Sequence, residues 1–311
     1  MTTAVNAMEA TPDLFLGNLV EASMKDDREL MSNPYFALKK QRQANIVYSS
    51  PHVTIEITSG TDKEGDIIGI ATIWDKDILL YITTLINAAI DSGRPISREV
   101  MFCPYDFLKA TGRSTGKRGY TLFYEALRRL HKTNILTTVE ADGQVHESGF
   151  HWIENYKFVK RTLPNGKEIH SGVIIKLNKW SFDAITKDRR VLTINTDYFD
   201  LTKGMERRLY EIARKHVGRQ SKWSISLEKL AEKCGTSQKL RQFKADLNKI
   251  IDDDNIPDYR LTIIFENGTW TEQSYPRSGP RKNGKDSRAM VIFTPKTSIR
   301  TNNPNLMIPA E

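Results

Sequence analysis

Long apolar runs and cysteines are scarce in this sequence of 311 residues. No apolar run approaches the ~20 residues that a membrane helix needs, and the chain does not start with the basic and then apolar segments of a secretory signal. Cys103 and Cys234 are too few for a disulfide framework, and both lie in apolar patterns, so we expect reduced core residues. These absences favour a soluble, cytoplasmic protein with no membrane partner.

Patterns of catalytic and metal-binding residues are also lacking. The six histidines show no metal-ligand spacing, and none forms the pair with a downstream tyrosine that a nicking enzyme needs. Ser114–Lys117 resembles part of a phosphate-binding loop, but the upstream glycine and the preceding strand are missing. Asp252–Asp254 could hold Mg²⁺, although such a run is more typical of a solvated helix end. We expect no cofactor and no enzymatic activity.

Positive charge is present in excess and is unevenly distributed. The net charge is +8, yet residues 1–33 hold two basic and six acidic side chains, which leaves about +12 on the rest. A basic stretch, Lys39–Arg42, follows this acidic segment. Residues 113–132 hold six Lys or Arg and one acid, and residues 273–300 hold seven and one. Such clusters favour binding to nucleic acid, because their contacts with phosphates release counterions. A solvated basic surface is the alternative.

A helix-turn-helix pattern occurs twice. In the C-terminal copy, Ser226–Gly235 predicts a short amphipathic helix closed by glycine, and Gln238–Ile251 predicts a second helix after a Thr-Ser turn. In the N-terminal copy, Pro104–Gly112 predicts the first helix, and a second follows the turn 113–119. Its apolar residues at 123, 127 and 130 precede their C-terminal counterparts at 243, 247 and 250 by 120 positions.

The elements around each copy predict the fold. An amphipathic helix precedes each copy (Asp75–Ser92 and Thr202–Val217), and strands follow it, the last pair being joined by the basic loop Ser274–Arg288. This order is typical of a winged helix. We therefore expect an α+β protein with two tandem winged-helix domains related by an internal repeat. The expected division is a mobile or loosely docked acidic arm (1–33), an N-terminal domain with extra β-hairpins (34–188), a C-terminal domain (189–295) and a frayed tail (296–311).

Helical periodicity predicts which side chains would face DNA. In the second copy the face opposite the apolar stripe presents Arg241 and Gln242, which suit guanine and adenine edges in a major groove. The candidate DNA-binding residues of the first copy are Arg113, Ser114, Lys117, Arg118, Thr121, Arg128, Arg129 and Lys132. Those of the second copy are Ser237, Gln238, Lys239, Arg241, Gln242 and Lys249, and those of the loop that would form the wing are Arg277, Arg281, Lys282 and Lys285.

Seven segments in consistent order resemble one family, the plasmid replication initiators of the replication initiator protein A type. They are Asn33–Phe36, Ala71–Asp75, Phe102–Asp106, Glu125–Leu130, Phe150–Ile153, Tyr198–Leu201 and Glu206–Gln220. The last is long enough to be specific. It contains Arg214, Lys215, His216 and Arg219, which either close a helix electrostatically or touch the DNA backbone.

The resemblance implies a tandem winged-helix initiator. Such proteins bind directly repeated sites (iterons) at a plasmid origin, help to open an adjacent AT-rich segment and recruit host replication factors such as the replicative helicase and the host initiator. Dimers made through the N-terminal domain are inactive or repress the protein's own gene. We therefore expect a monomer–dimer equilibrium through residues 46–180.

Two other functions remain open at this point. A transcriptional repressor could use the same units, although a repressor normally reads palindromic DNA as a stable dimer. A nicking initiator would be an enzyme, and its metal and tyrosine pattern is missing.

Overall fold

The computed structural model describes six stretches of the chain, residues 23–50, 53–141, 144–162, 168–187, 190–265 and 289–296. The α-helices in these stretches are α1 (Arg28–Ser32), α2 (Lys76–Asp91), α3 (Pro104–Ala110), α4 (Lys117–Lys132), α5 (Lys179–Thr186), α6 (Gly204–Val217), α7 (Leu227–Cys234) and α8 (Leu240–Asp253). The strands are β1 (Lys25–Asp27), β2 (Asn45–Ser50), β3 (Val53–Ser59), β4 (Glu99–Phe102), β5 (Thr133–Ala141), β6 (Gln144–His151), β7 (Ile153–Thr162), β8 (Glu168–Leu177), β9 (Val191–Thr193), β10 (Trp223–Ser226), β11 (Tyr259–Phe265) and β12 (Ala289–Pro295). Within these stretches, no helix is long and apolar enough to cross a membrane.

The two halves of the chain share one order of elements. In the first half α2, β4, α3 and α4 lead to the β7–β8 hairpin, and in the second half α6, β10, α7 and α8 lead to β11 and β12. The antiparallel sheet orders also correspond, β4-β8-β7 in the first half and β10-β12-β11 in the second. In both, the strand between the first two helices pairs with the last strand.

An additional hairpin distinguishes the first half. β5 and β6 follow α4 and join β2 and β3 in a four-stranded sheet of order β2-β3-β5-β6. Its buried face carries Ile57 and Ile135, which are direct cross-strand partners. β6 forms one edge of this sheet, and every side chain from 144 to 149 is exposed. The β-hairpins expected in this region are therefore present, and they build a second sheet rather than enlarging the first.

Helices α4 and α8 form where the apolar spacing predicts them. Phe123, Leu127 and Leu130 are fully buried on α4, as are the side chains at 243, 247 and 250 on α8. Ser226 caps α7 by accepting a hydrogen bond from the backbone N–H of Lys229, and the C-cap Gly235 (φ 64°) adopts the left-handed conformation that glycine tolerates best. Local sequence therefore fixes both ends of α7.

The N-terminal segment corrects an expectation. The part of the acidic arm that the structure describes, residues 23–33, is not loosely docked. Strand β1 pairs with β9 far along the chain, and Met24, Leu30 and Met31 are buried. These apolar side chains and the buried Asp26 find partners in both halves, which sequence periodicity cannot show. Residues 1–22 lie outside the described residues.

Aromatic packing joins Tyr35 and Phe36, which precede β2, to the sheet region of the first half. Trp152 is fully buried, with Phe36 stacked on it at 4.7 Å and Tyr35 edge-on at 5.6 Å between ring centroids. Rings at these distances contribute about 0.5–1.5 kcal/mol beyond their burial. The buried apolar side chains of both halves form one continuous core.

Charged side chains at the start of α2 lie at the junction of the two halves. The Lys76 ammonium is fully buried and contacts Asp26 at 2.7 Å and Glu211 at 2.8 Å. Asp77 accepts from Arg207 of α6 at 2.7 Å and from Arg113 at 2.6 Å. Burial, which lowers the pKa of Lys76, is outweighed by the two carboxylates, so its pKa lies above its usual value. Lys76 therefore stays charged and joins the N-terminal segment to α6.

Replacing Lys76 by alanine should strongly destabilise the fold. Loss of the ammonium leaves the buried Asp26 carboxylate without its cation and leaves Glu211 with Arg208 as its cation, which costs about 3–5 kcal/mol. The measurement is the free energy of unfolding in urea. Lys179→Ala removes a lysine of the exposed pair with Asp183 and should leave the midpoint nearly unchanged. Equal midpoints for the two variants would contradict this role of Lys76.

Candidate nucleic-acid interface

The first candidate surface is the outer face of α4. The turn before α4 folds back tightly, because a Cβ at Gly119 would lie 1.7 Å from the carbonyl oxygen of Ser114. Only a glycine lets the turn approach the helix so closely. The outer face carries most of the predicted side chains, and those that are exposed are Ser114, Lys117, Arg118, Thr121, Arg128 and Lys132. This face is basic and solvent-accessible.

Two predicted residues of this surface have another role. The Arg113 guanidinium donates to Asp77 and to the carbonyl oxygen of Trp74, and that of Arg129 forms a two-point contact with Asp75 at 2.7 and 2.8 Å. Each arginine side chain is 21% exposed. They attach the turn and α4 to the start of α2, a structural role that their prediction as DNA contacts does not include. Their partners lie 36 and 54 positions away, so helical periodicity did not reveal them.

The second candidate surface is the outer face of α8 and the turn before it. Ser237, Lys239, Arg241, Gln242 and Lys249 are exposed, and Gln238 is half-buried. Lys239 is the N-cap residue, so the predicted helix start at 238 shifts by two positions. Arg241 and Gln242 therefore lie in the first turn of α8.

One residue of this surface was missed from the sequence. Asp246 accepts hydrogen bonds from the side-chain amides of Gln238 at 3.3 Å and Gln242 at 3.2 Å, and its carboxylate lies 3.7 Å from Lys249. The spacing of four between 242 and 246 is the signal that could have identified it. Because the Gln242 amide N–H is engaged on Asp246, its orientation on the outer face is restricted.

The four residues predicted at the end of α6 have different surroundings in the structure. Arg214 donates from Nε to the carbonyl oxygen of Thr193 at 2.6 Å, which attaches α6 to β9. His216 stacks on Trp223 with ring centroids 4.4 Å apart and planes 9° apart. Lys215 is half-buried and Arg219 is exposed. Arg214 and His216 therefore have structural contacts at this end of α6, and a contact of this group with the DNA backbone stays a prediction.

The remaining predicted residues, Arg277, Arg281, Lys282 and Lys285, lie outside the described residues. Among those described, no group of three or more His, Cys, Asp or Glu side chains could hold a metal ion.

Comparison with known proteins identifies the family. The profile of the family described as "Replication initiator protein A" matches residues 25–261. The chain belongs to this family of replication initiators. A protein of Wigglesworthia glossinidia brevipalpis named "Putative replication protein" is 35% identical over 243 residues, which are 77% of this chain and 85% of that protein.

Two solved structures share the fold of this replication initiator. A structure of domains 2 and 3 of RctB aligns with a TM-score of 0.59 at 14% identity, covering 86% of this chain and 98% of that one. A second structure of the same two domains aligns with a TM-score of 0.53, covering 85% and 96%. The likeness therefore extends over both halves of the initiator.

Stability of the initiator should fall in mild acid because of His216. Burial lowers its pKa to about 4, with help from Lys233 and Lys215, whereas an unfolded histidine titrates near 6.5. The unfolded chain therefore binds the extra proton between these values, and stability is lost as pH falls from about 6.5 to about 4. His216→Phe keeps a ring on Trp223 and should flatten this decline in urea unfolding at about pH 7.5 and pH 5. An unchanged decline would show that other groups cause it.

Proposed function

We propose that this initiator binds double-stranded DNA, without enzymatic activity, through two winged helices that read directly repeated sites of a plasmid origin. The observation that carries the proposal is the pair of units with the same order of helices and strands. The last helix of each unit exposes basic side chains, Lys117, Arg118 and Arg128 on α4 and Arg241 and Lys249 on α8. Membership of the replication initiator protein A family supports an origin as the target.

The winged-helix interpretation is supported by the matching sheet orders. In each half a strand between the first two helices pairs with the distal strand of the final hairpin. This arrangement packs three helices against a small sheet and leaves the third helix, α4 or α8, with one face in solvent. A helix fits the major groove of B-DNA in width, so α4 and α8 are the natural reading elements.

The chemistry of the two outer faces supports a division between base reading and phosphate binding. Arg241 and Gln242 lie in the first turn of α8, where recognition helices meet base edges. Arg241 suits guanine, and the amide of Gln242, restricted by Asp246, suits adenine. On α4, Lys117 and Arg118 lie at the helix start, where the backbone N–H groups also favour phosphate.

The fixed relation of the two units favours direct repeats over palindromes. The pairs of Asp77 with Arg207 and of Lys76 with Glu211 connect the start of α2 to α6 within one core. Two unlike units in one rigid chain read an asymmetric site. We propose that α4 and α8 enter successive major grooves on one face of a duplex. Opening of adjacent AT-rich DNA and recruitment of host factors are proposed on the family resemblance alone.

Footprinting of the purified monomer on the origin region of its own replicon tests the proposal. Successive major grooves are roughly 10 bp apart, so the protected site should span about 20 bp or slightly more. Protection of only about 10 bp would mean that one unit binds. No protection at any origin sequence would contradict DNA binding altogether.

Neighbouring arginines of α4 provide a matched control for the footprint. Arg128→Ala removes an exposed guanidinium, which lies 3.7 Å from the Asp62 carboxylate, and should weaken protection of one half of the site. Arg241→Ala should weaken the other half and relax base preference by about 1–3 kcal/mol. Arg129→Ala breaks the pair with Asp75 and should lower stability, while the folded fraction protects both halves. Equal loss of protection for Arg128→Ala and Arg129→Ala would contradict the assignment of the outer face.

We further propose that the initiator forms dimers through the N-terminal half, at the exposed edge of β6. An edge strand presents unpaired backbone groups to a second copy. Val145 lies on this strand and is 65% exposed. Val145→Lys in the full-length chain should shift the sedimentation equilibrium towards monomer. Lys179→Ala changes a surface charge on α5 and should not; a dimer unaffected by Val145→Lys would place the interface elsewhere.

A further inference from the structure

A cleft lies where the first half of the chain meets the start of α6 and the turn before α8. Its volume is about 630 Å³, and its walls come from three parts of the chain. Lys39, Lys40 and Trp74 belong to the first half, Lys203 precedes α6, and Ser237 and Gln238 belong to the turn that leads into α8. The basic stretch noted in the sequence therefore lies in this cleft, next to the start of α8.

The basic stretch is held firmly at its N-terminal end. Ala37 exchanges backbone hydrogen bonds of 3.0 Å with Ala71 and Ile73. Leu38 packs against the first residue of α6, because a Cβ at Gly204 would lie 2.2 Å from the Leu38 carbonyl oxygen. Only a glycine permits this approach. The lysines that follow are thus presented from a fixed position between the two units.

The charge in the cleft is predominantly positive. Lys39 and Lys40 are exposed, and the Lys40 ammonium lies 5.0 Å from the Trp74 ring centroid. Within the described stretches, no carboxylate oxygen lies within 4 Å of either ammonium. Lys203 is paired with Glu206 and Asp253. The acidic wall residue in the described part of the cleft is Asp246, which already binds Gln238 and Gln242. Lys39 and Lys40 therefore remain available for an anion.

The position of these lysines defines which anion they would meet. When α8 lies in a major groove, its N-terminal turn adjoins the phosphates that border the groove. The cleft extends from that turn to Trp74, whose carbonyl oxygen accepts a hydrogen bond from Arg113 in the turn before α4. In the proposed arrangement, with α4 and α8 in successive grooves, the DNA strand between the two helices would run past these two lysines.

We infer that Lys39 and Lys40 bind backbone phosphates of the duplex segment between the two recognition sites. This inference rests on the proposed function and adds a third contact to it, one that carries no base specificity. The two lysines position the duplex relative to both reading helices and raise affinity for every sequence alike.

The test is the salt dependence of DNA binding by full-length Lys39→Ala/Lys40→Ala. Each phosphate contact contributes about 0.9 to the slope of log affinity against log salt, so the slope should fall by roughly two contacts. The reduction should be the same on the footprinted duplex and on a random duplex of equal length. The control, Lys179→Ala/Lys187→Ala, removes the same charge from α5 and should keep the wild-type slope. Phosphate ethylation between the two protected halves should interfere with wild-type binding but not with the variant.

The outcomes separate the inference from the proposed function. A wild-type protein that protects its site, together with a Lys39→Ala/Lys40→Ala variant of unchanged slope, overturns the inference alone. Binding of a free nucleotide in the cleft would also overturn the inference alone. Equal slope changes in the variant and the control would show that net charge alone causes the effect, and this outcome would also overturn the inference. A wild-type protein that binds no duplex overturns the proposed function, and the inference falls with it.

Discussion

Three consecutive side chains at the start of α2 connect the parts of this molecule. Asp75 holds Arg129 of α4, Lys76 holds Asp26 and Glu211, and Asp77 holds Arg113 and Arg207. Neighbouring residues at a helix start point in different directions, so each of the three reaches a different element. Buried charges are costly to desolvate and expensive to leave unpaired. The chain is therefore stable only when both halves and the N-terminal segment meet at this point.

The segments that carry the family resemblance converge on the same region. Ala71–Asp75 ends at the start of α2, and Glu206–Gln220 contains the α6 residues that pair with it. Asn33–Phe36 packs on Phe150–Ile153 through the stacked rings of Phe36 and Trp152. Each of these segments contacts a segment that is distant in the chain. They therefore specify chiefly the packing that orients α4 and α8.

Local signals explain what could be predicted from the sequence. The apolar spacing on α4 and α8, the serine cap of α7 and the β-rich region after α4 all depend on residues close in the chain. The contacts that the sequence does not reveal depend on distant partners. Arg113 and Arg129 have outward positions by helical periodicity alone, but Asp77 and Asp75 engage them. The sequence indicates a mobile or loosely docked acidic arm because the partner of Asp26 is 50 residues away. His216 could not be distinguished from a basic helix end without Trp223.

The outer face of α8 has a consequence for how such a protein can diversify. Arg241 and Gln242 are exposed, and their contacts do not include the charged junction at α2. Substitution at an exposed helix position changes stability by little. The residues that would contact bases under the proposed function are thus physically separate from those that hold the fold together, so a related initiator could come to recognise a different origin sequence by exchanging a few surface residues. Two replicons that carry such initiators could then share a cell without competing for one another's initiator.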